Sequence, residues 1–88
     1  MTDGYSATAH EQLDALERED PDVYDAVLDA CELVFLAEGL AQARSTAIVT
    51  PDRVVFRLPV VGSPIKVFWS NWGPEGPRVE AVFPYSSD

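Results

Sequence analysis

The chain has 88 residues, fifteen acids against six lysines and arginines, and a formal net charge of −9. A chain this short makes one small domain that buries only about 60–65% of its unfolded surface, yet 47% apolar residues is too many for disorder. A single cysteine excludes an internal disulfide and a cysteine-only metal site, and no apolar run reaches the roughly 18 residues of a membrane span.

The charges are divided unevenly along the chain. Residues 1–40 carry eleven of the acids and one cation, Arg18, whereas residues 41–88 carry Arg44, Arg53, Arg57, Lys66 and Arg78 against four acids. The acidic part reads as helices and the nearly neutral part as strands. An anionic membrane surface repels so acidic a chain. No basic stretch followed by an apolar one marks a signal peptide. The expected location is the cytoplasm.

Ser6 is a candidate N-cap, after which Ala9, Leu13 and Leu16 recur at helical spacing. Gly4-Tyr5 ahead of it can form an edge strand. Asp20-Pro21 stops this helix and starts the next, with proline at the first helical position and aspartate as the cap. The second helix is predicted over 21–38, with Val23, Val27, Ala30, Cys31, Val34 and Phe35 as its apolar stripe and Gly39 just past its end. The near absence of a loop between the two predicts a helical hairpin.

Beyond residue 40 the composition turns to β-formers. Strands are predicted over 45–50, 54–60, 65–70 and 78–83, separated by Pro51-Asp52, Gly62-Ser63-Pro64 and the glycine–proline run 73–77. Pro59 cannot donate to a ladder and marks a strand end, an edge or a bulge. Alternation places Phe56, Leu58, Ile65, Val67, Trp69, Val79, Ala81 and Phe83 on a core face. It places Val55, Arg57, Lys66, Phe68, Ser70, Arg78, Glu80 and Val82 on the other. The predicted fold is α+β: a helical hairpin within 6–39 packed on one face of a four-stranded antiparallel sheet within 43–85.

The order of two helices and a strand meander, with Val55-Phe56-Arg57-Leu58, a turn at Gly62 and then Ile65-Lys66-Val67-Phe68-Trp69, resembles the RelE/ParE superfamily of toxin–antitoxin toxins. Tyr5-Ser6-Ala7-Thr8-Ala9 leading to Leu13 and Leu16 is similar to that family's first strand and first helix. The resemblance spans nearly the whole chain, through short motifs. It implies helices on one face of a curved sheet. One branch cleaves messenger RNA on the ribosome with basic and tyrosine side chains of the open face, and another poisons DNA gyrase. Arg57 and Lys66 match the basic positions of the central strands, with Arg78 and Tyr85 near the end of the site. On that implication the four are the candidate catalytic residues, the cations stabilising a phosphate transition state and the tyrosine positioning the attacking hydroxyl. The chain departs from the family where Val82-Phe83-Pro84-Tyr85 stands in place of a closing basic pair. A charge of −9 also opposes binding to RNA or a ribosome, because phosphate contacts dominate such affinity.

A second reading starts from the acids. Asp22, Asp25, Asp29 and Glu32 fall on one face of the second helix with no cation between them, as a solvated surface or as a docking face for a basic partner. Trp72, in the turn after the third strand, is a further partner-binding candidate. On this reading the chain is a non-enzymatic acidic binding or inhibitor protein. A third possibility is a homodimer formed through an exposed sheet edge. His10 has no nucleophile constellation around it, and Cys31 lies on the buried stripe as a core thiol. The carboxylates Glu11, Asp14 and Glu17 lack the histidine or spaced oxygen loop of a metal site, so neither metal nor cofactor is expected.

Overall fold

The computed structural model describes residues 4–71 and 76–84. Three helices, α1 (Ala7–Glu19), α2 (Pro21–Leu36) and α3 (Glu38–Arg44), precede four strands, β1 (Thr46–Val49), β2 (Val54–Pro59), β3 (Ile65–Ser70) and β4 (Arg78–Pro84). The strands form one antiparallel sheet in the order β1-β2-β3-β4, with the helices packed on one side of it. The class is α+β, as the sequence pattern predicts. No helix among the described residues is long and apolar enough to cross a membrane.

Helix starts follow their caps. The Ala9 N–H donates to the Ser6 hydroxyl oxygen at 3.0 Å, and the Val23 N–H donates to Asp20 Oδ1 at 3.3 Å with Pro21 in the first turn. The helix count is corrected from two to three. α2 ends at Leu36, not at residue 38, because Ala37 leaves helical geometry at φ −144°, ψ 61° and serves as the C-cap of α2 and the N-cap of α3. Gly39 consequently sits inside α3 instead of closing α2. The break redirects the chain so that Ala41 is fully buried. The carboxylate of Glu38, favourably placed in the first turn of α3, accepts a hydrogen bond from the Asn71 amide.

α3 also satisfies the largest core side chain. Trp69 is fully buried, and its indole N–H donates to Ser45 Oγ at 3.1 Å; that hydroxyl donates in turn to the Ala41 carbonyl at 2.7 Å. A buried indole without such a partner would carry the cost of an unmade hydrogen bond. Around Trp69 the core joins Ala9 and Leu13 of α1, Val27, Cys31 and Val34 of α2, and the inward residues of β2, β3 and β4. The Phe56 and Trp69 rings lie 4.7 Å apart.

The alternation reading fails on β4. Trp69 pairs with Val79, but its neighbour Phe68 pairs with Ala81, so Glu80 is an extra residue in a β-bulge. Val79 and Val82 both face the core, with Val82 only 4% exposed, whereas Ala81 stands opposite Phe68 on the other face and Phe83 stands opposite Lys66. Inside and outside are thus exchanged after Glu80.

The outer edge of β4 is covered by the N-terminal segment. Gly4, with φ +92°, accepts from the Val79 N–H at 2.8 Å, and the Ser6 N–H donates to the Val79 carbonyl at 2.9 Å, which makes Tyr5 a single parallel bridge. Only glycine fits at position 4, since a Cβ there would stand 2.7 Å from the Phe35 ring. The Ser6 hydroxyl donates to the Glu80 carbonyl, and the Val82 N–H donates to Gln12 Oε1. Ser6 therefore holds a helix start and the bulge together. Ser6→Ala is expected to lower unfolding free energy by about 1–2 kcal/mol, read as a lower urea midpoint at unchanged slope.

Candidate functional site: the open sheet face

The side of the sheet away from the helices carries four cations. Arg57 on β2 pairs with Thr46 on one side and Phe68 on the other, and Lys66 lies two residues before Phe68 on β3. Side chains two apart on a strand share a face, so Arg57 and Lys66 are diagonal neighbours at roughly 7–8 Å between backbones. Both are half-buried, on the side of the sheet that alternation sets opposite the helices. The sequence-predicted pair is therefore brought together.

Arg78 stands at the other end of the face, opposite Ser70, and is drawn to an acid. Glu80 lies on this face, as alternation predicts, and its carboxylate accepts from the buried Ser70 hydroxyl at 2.7 Å. Arg78 Nε lies 3.9 Å from Glu80 Oε1, and Arg53 reaches across from the start of β2 to 3.7 Å from Oε2. These are loose pairs between partly exposed groups, each worth well under about 1 kcal/mol. Their consequence is electrostatic: one carboxylate offsets charge at the Arg53–Arg78 end of the face.

Arg53 was not among the sequence candidates. Its parity with Val55 and Arg57 was the available signal. The Thr50–Arg53 turn, closed by the Thr50 N–H to the Arg53 carbonyl at 2.9 Å, delivers it to the same face. Tyr85 and Trp72, the remaining candidates from the strand region, lie outside the described residues.

Two cations at this spacing can hold an anion such as a phosphate or carboxylate, the guanidinium through paired N–H donors and the ammonium as a point charge. The chain's one histidine, His10, is on α1 with its ring 5.6 Å from that of Tyr5, on the far layer. Cys31 is fully buried in the helical layer, and burial pushes its thiol up to about 11; a Tyr5 hydrogen bond pulls it partly back and the Glu32 charge raises it further.

No protein-family model, curated protein or solved structure matches this chain. The residues themselves carry the functional argument.

Asp22, Asp25, Asp29 and Glu32 are all exposed on α2, in the layer opposite the open face. Among the described residues none of them makes an ion pair with a basic side chain. The negative field reaches Tyr24, whose hydroxyl is shifted above its ordinary value by desolvation first and then by Glu17, Asp14 and Asp25. The two candidate surfaces, cationic and anionic, are therefore back to back.

The burial of Cys31 has a direct chemical consequence. With its pKa raised to about 11 from 9.0, the thiolate fraction at pH 8 falls about a hundredfold. Iodoacetamide should label the native protein at pH 8 far more slowly than the protein in urea, and equal rates would contradict the packing. At the other face, Glu80→Gln keeps an acceptor for Ser70 while releasing two guanidinium groups from a negative partner. Severalfold tighter binding of tripolyphosphate at low salt is the expected result, followed by shifts of the β3 amide resonances.

Proposed function

We propose that the chain is a toxin-like component of a toxin–antitoxin pair, of the RelE/ParE kind, that acts by binding its target through the open sheet face without cutting RNA. The observation that carries this reading is the placement of Arg57 and Lys66 as diagonal neighbours on one side of an antiparallel meander whose other side is roofed by helices. The short parallel bridge of Tyr5 to β4 ahead of α1 agrees with the family's order of a first strand running into the helices. Loss of ribonuclease chemistry is favoured by the carboxylate of Glu80 among the cations, by the lack of a histidine on that face, and by a net charge of −9. A cytoplasmic target, with an antitoxin protein as partner, belongs to this reading.

Induced expression in bacteria, with growth followed, tests it. The wild type should arrest growth without new messenger RNA ends by primer extension, and Arg57→Ala with Lys66→Ala should relieve the arrest. Arrest that survives both changes, or no arrest at all, removes the toxin reading.

A second reading is favoured by a separate observation, the unpaired acid row of α2. On it the protein is a non-enzymatic binder that occupies a basic surface of another protein. Charge reversal of Asp25, Asp29 and Glu32 to lysine separates the two, since it abolishes salt-sensitive partner capture on this reading and leaves growth arrest intact on the first.

A further inference from the structure

The helical layer does not close evenly over the sheet. A cleft of about 650 Å³ lies where α2, the end of α3 and the β2–β3 turn approach one another. Its wall on α2 is low because Ala26 and Ala30 stand there, one turn apart, followed by Leu33. Buried Leu58 and the turn residue Val61, 90% exposed, line the opposite side. Leu36, 83% exposed, lies one turn beyond Leu33, and Leu40, also exposed, lies one turn before Arg44 on α3. Val61 is thus a large apolar side chain left in solvent at the opening, and Leu36 and Leu40 are exposed on the two helices that border it, the usual mark of a surface that another molecule covers.

We propose that this cleft is the docking site for a basic amphipathic helix of a partner protein. The inference deepens the second reading above and rests on it. Ala26, Ala30 and Leu33 span two turns, about 10 Å, which matches the length over which one face of a helix inserts anchors at i, i+3 or i+4, and i+7. A whole helix, about 10–12 Å wide, does not enter a cleft of 650 Å³, but the side chains of its apolar face do.

Charge identifies the partner. Asp29 both lines the cleft and belongs to the row Asp22, Asp25, Asp29 and Glu32, so an acidic border runs along the α2 side of the apolar opening. A helix with leucines in the cleft and lysines or arginines on the flank above α2 meets that border with opposite charge. Arg44 lines the cleft as well and makes no ion pair with Asp29, which leaves it for an acid on the partner's other flank and so fixes the direction in which the helix lies.

The test uses three fluorescent 18-residue peptides: leucines at helical spacing flanked on one side by lysines, the same peptide with glutamates for the lysines, and a scrambled sequence. Anisotropy should show salt-sensitive binding of the lysine peptide and at least tenfold weaker binding of the other two. Val61→Asp, at a solvent-exposed turn position that leaves thermal unfolding unchanged, should weaken the lysine peptide at least tenfold, as should Asp29→Lys. Equal binding of the lysine and glutamate peptides, or binding of neither, overturns the proposal. Loss of binding on reversal of Asp22, Asp25 and Glu32 with Val61→Asp harmless keeps the acidic-face reading and overturns the cleft. A wild-type dimer in sedimentation that Val61→Asp dissociates assigns the cleft to a second copy of the chain, which also overturns the proposal.

Discussion

The bulge at Glu80 is the junction on which both layers depend. One extra residue in β4 turns Val79 and Val82 to the same side, so both enter the core although an odd number of steps separates them. The same residue sends its carboxylate to the open face, where Ser70, Arg53 and Arg78 gather around it. Its carbonyl is held by the hydroxyl of Ser6, the residue that also caps α1. A bulge leaves a ladder position unpaired and would be costly if buried without partners. Here the N-terminal segment supplies one. The start of the helical layer, the edge of the sheet and the charge pattern of the far face are therefore tied at a single point.

That tie also explains an asymmetry between the two sheet edges. β4 has its outward backbone groups taken by Gly4, Ser6 and Gln12. Among the described residues β1 has no such cover, and its residues Thr46 to Val49 are exposed apart from half-buried Ile48. Proteins generally blunt a bare edge with charge, proline or a bulge. β1 is uncharged and only four residues long, followed at once by Thr50-Pro51. Shortness and the proline after it are the protections the chain itself provides.

Much of this was legible in the sequence where one local rule acted alone. Ser6 and Asp20-Pro21 announce helix starts because few residues can satisfy free N–H groups there. Arg57 and Lys66 share a face because β2 and β3 pair without interruption, so a period of two carries across the turn at Gly62, where φ is +78°. Legibility failed where two rules competed. Gly39 has the chemistry of a helix terminator, but the direction needed to bury Ala41 placed the break at Ala37 instead. In β4, Val79-Glu80-Ala81-Val82 fits either parity by polarity alone. The larger β-branched pair, Val79 and Val82, against the small Ala81 was the available hint of a bulge. The cleft was not legible because alanines at 26 and 30 look like ordinary helix formers; only the position of Val61 across from them turns missing bulk into a groove.

The opposed charges of the two faces set the conditions under which either can work. At physiological ionic strength the Debye length is about 8 Å, and the molecule measures 33 × 33 × 23 Å, so even its shortest extent is more than twice that length. Charges on opposite sides are then nearly independent, so the total of −9 does not by itself set the local field around Arg57 and Lys66. At low salt the screening length grows to about 30 Å, and the acids of α1 and α2 act through the whole domain against any anion at the sheet. Added salt screens the repulsion from the helices and the attraction to Arg57 and Lys66 together, the longer-range repulsion more strongly, so the salt dependence of anion binding at this face is shallower than two cations alone would give.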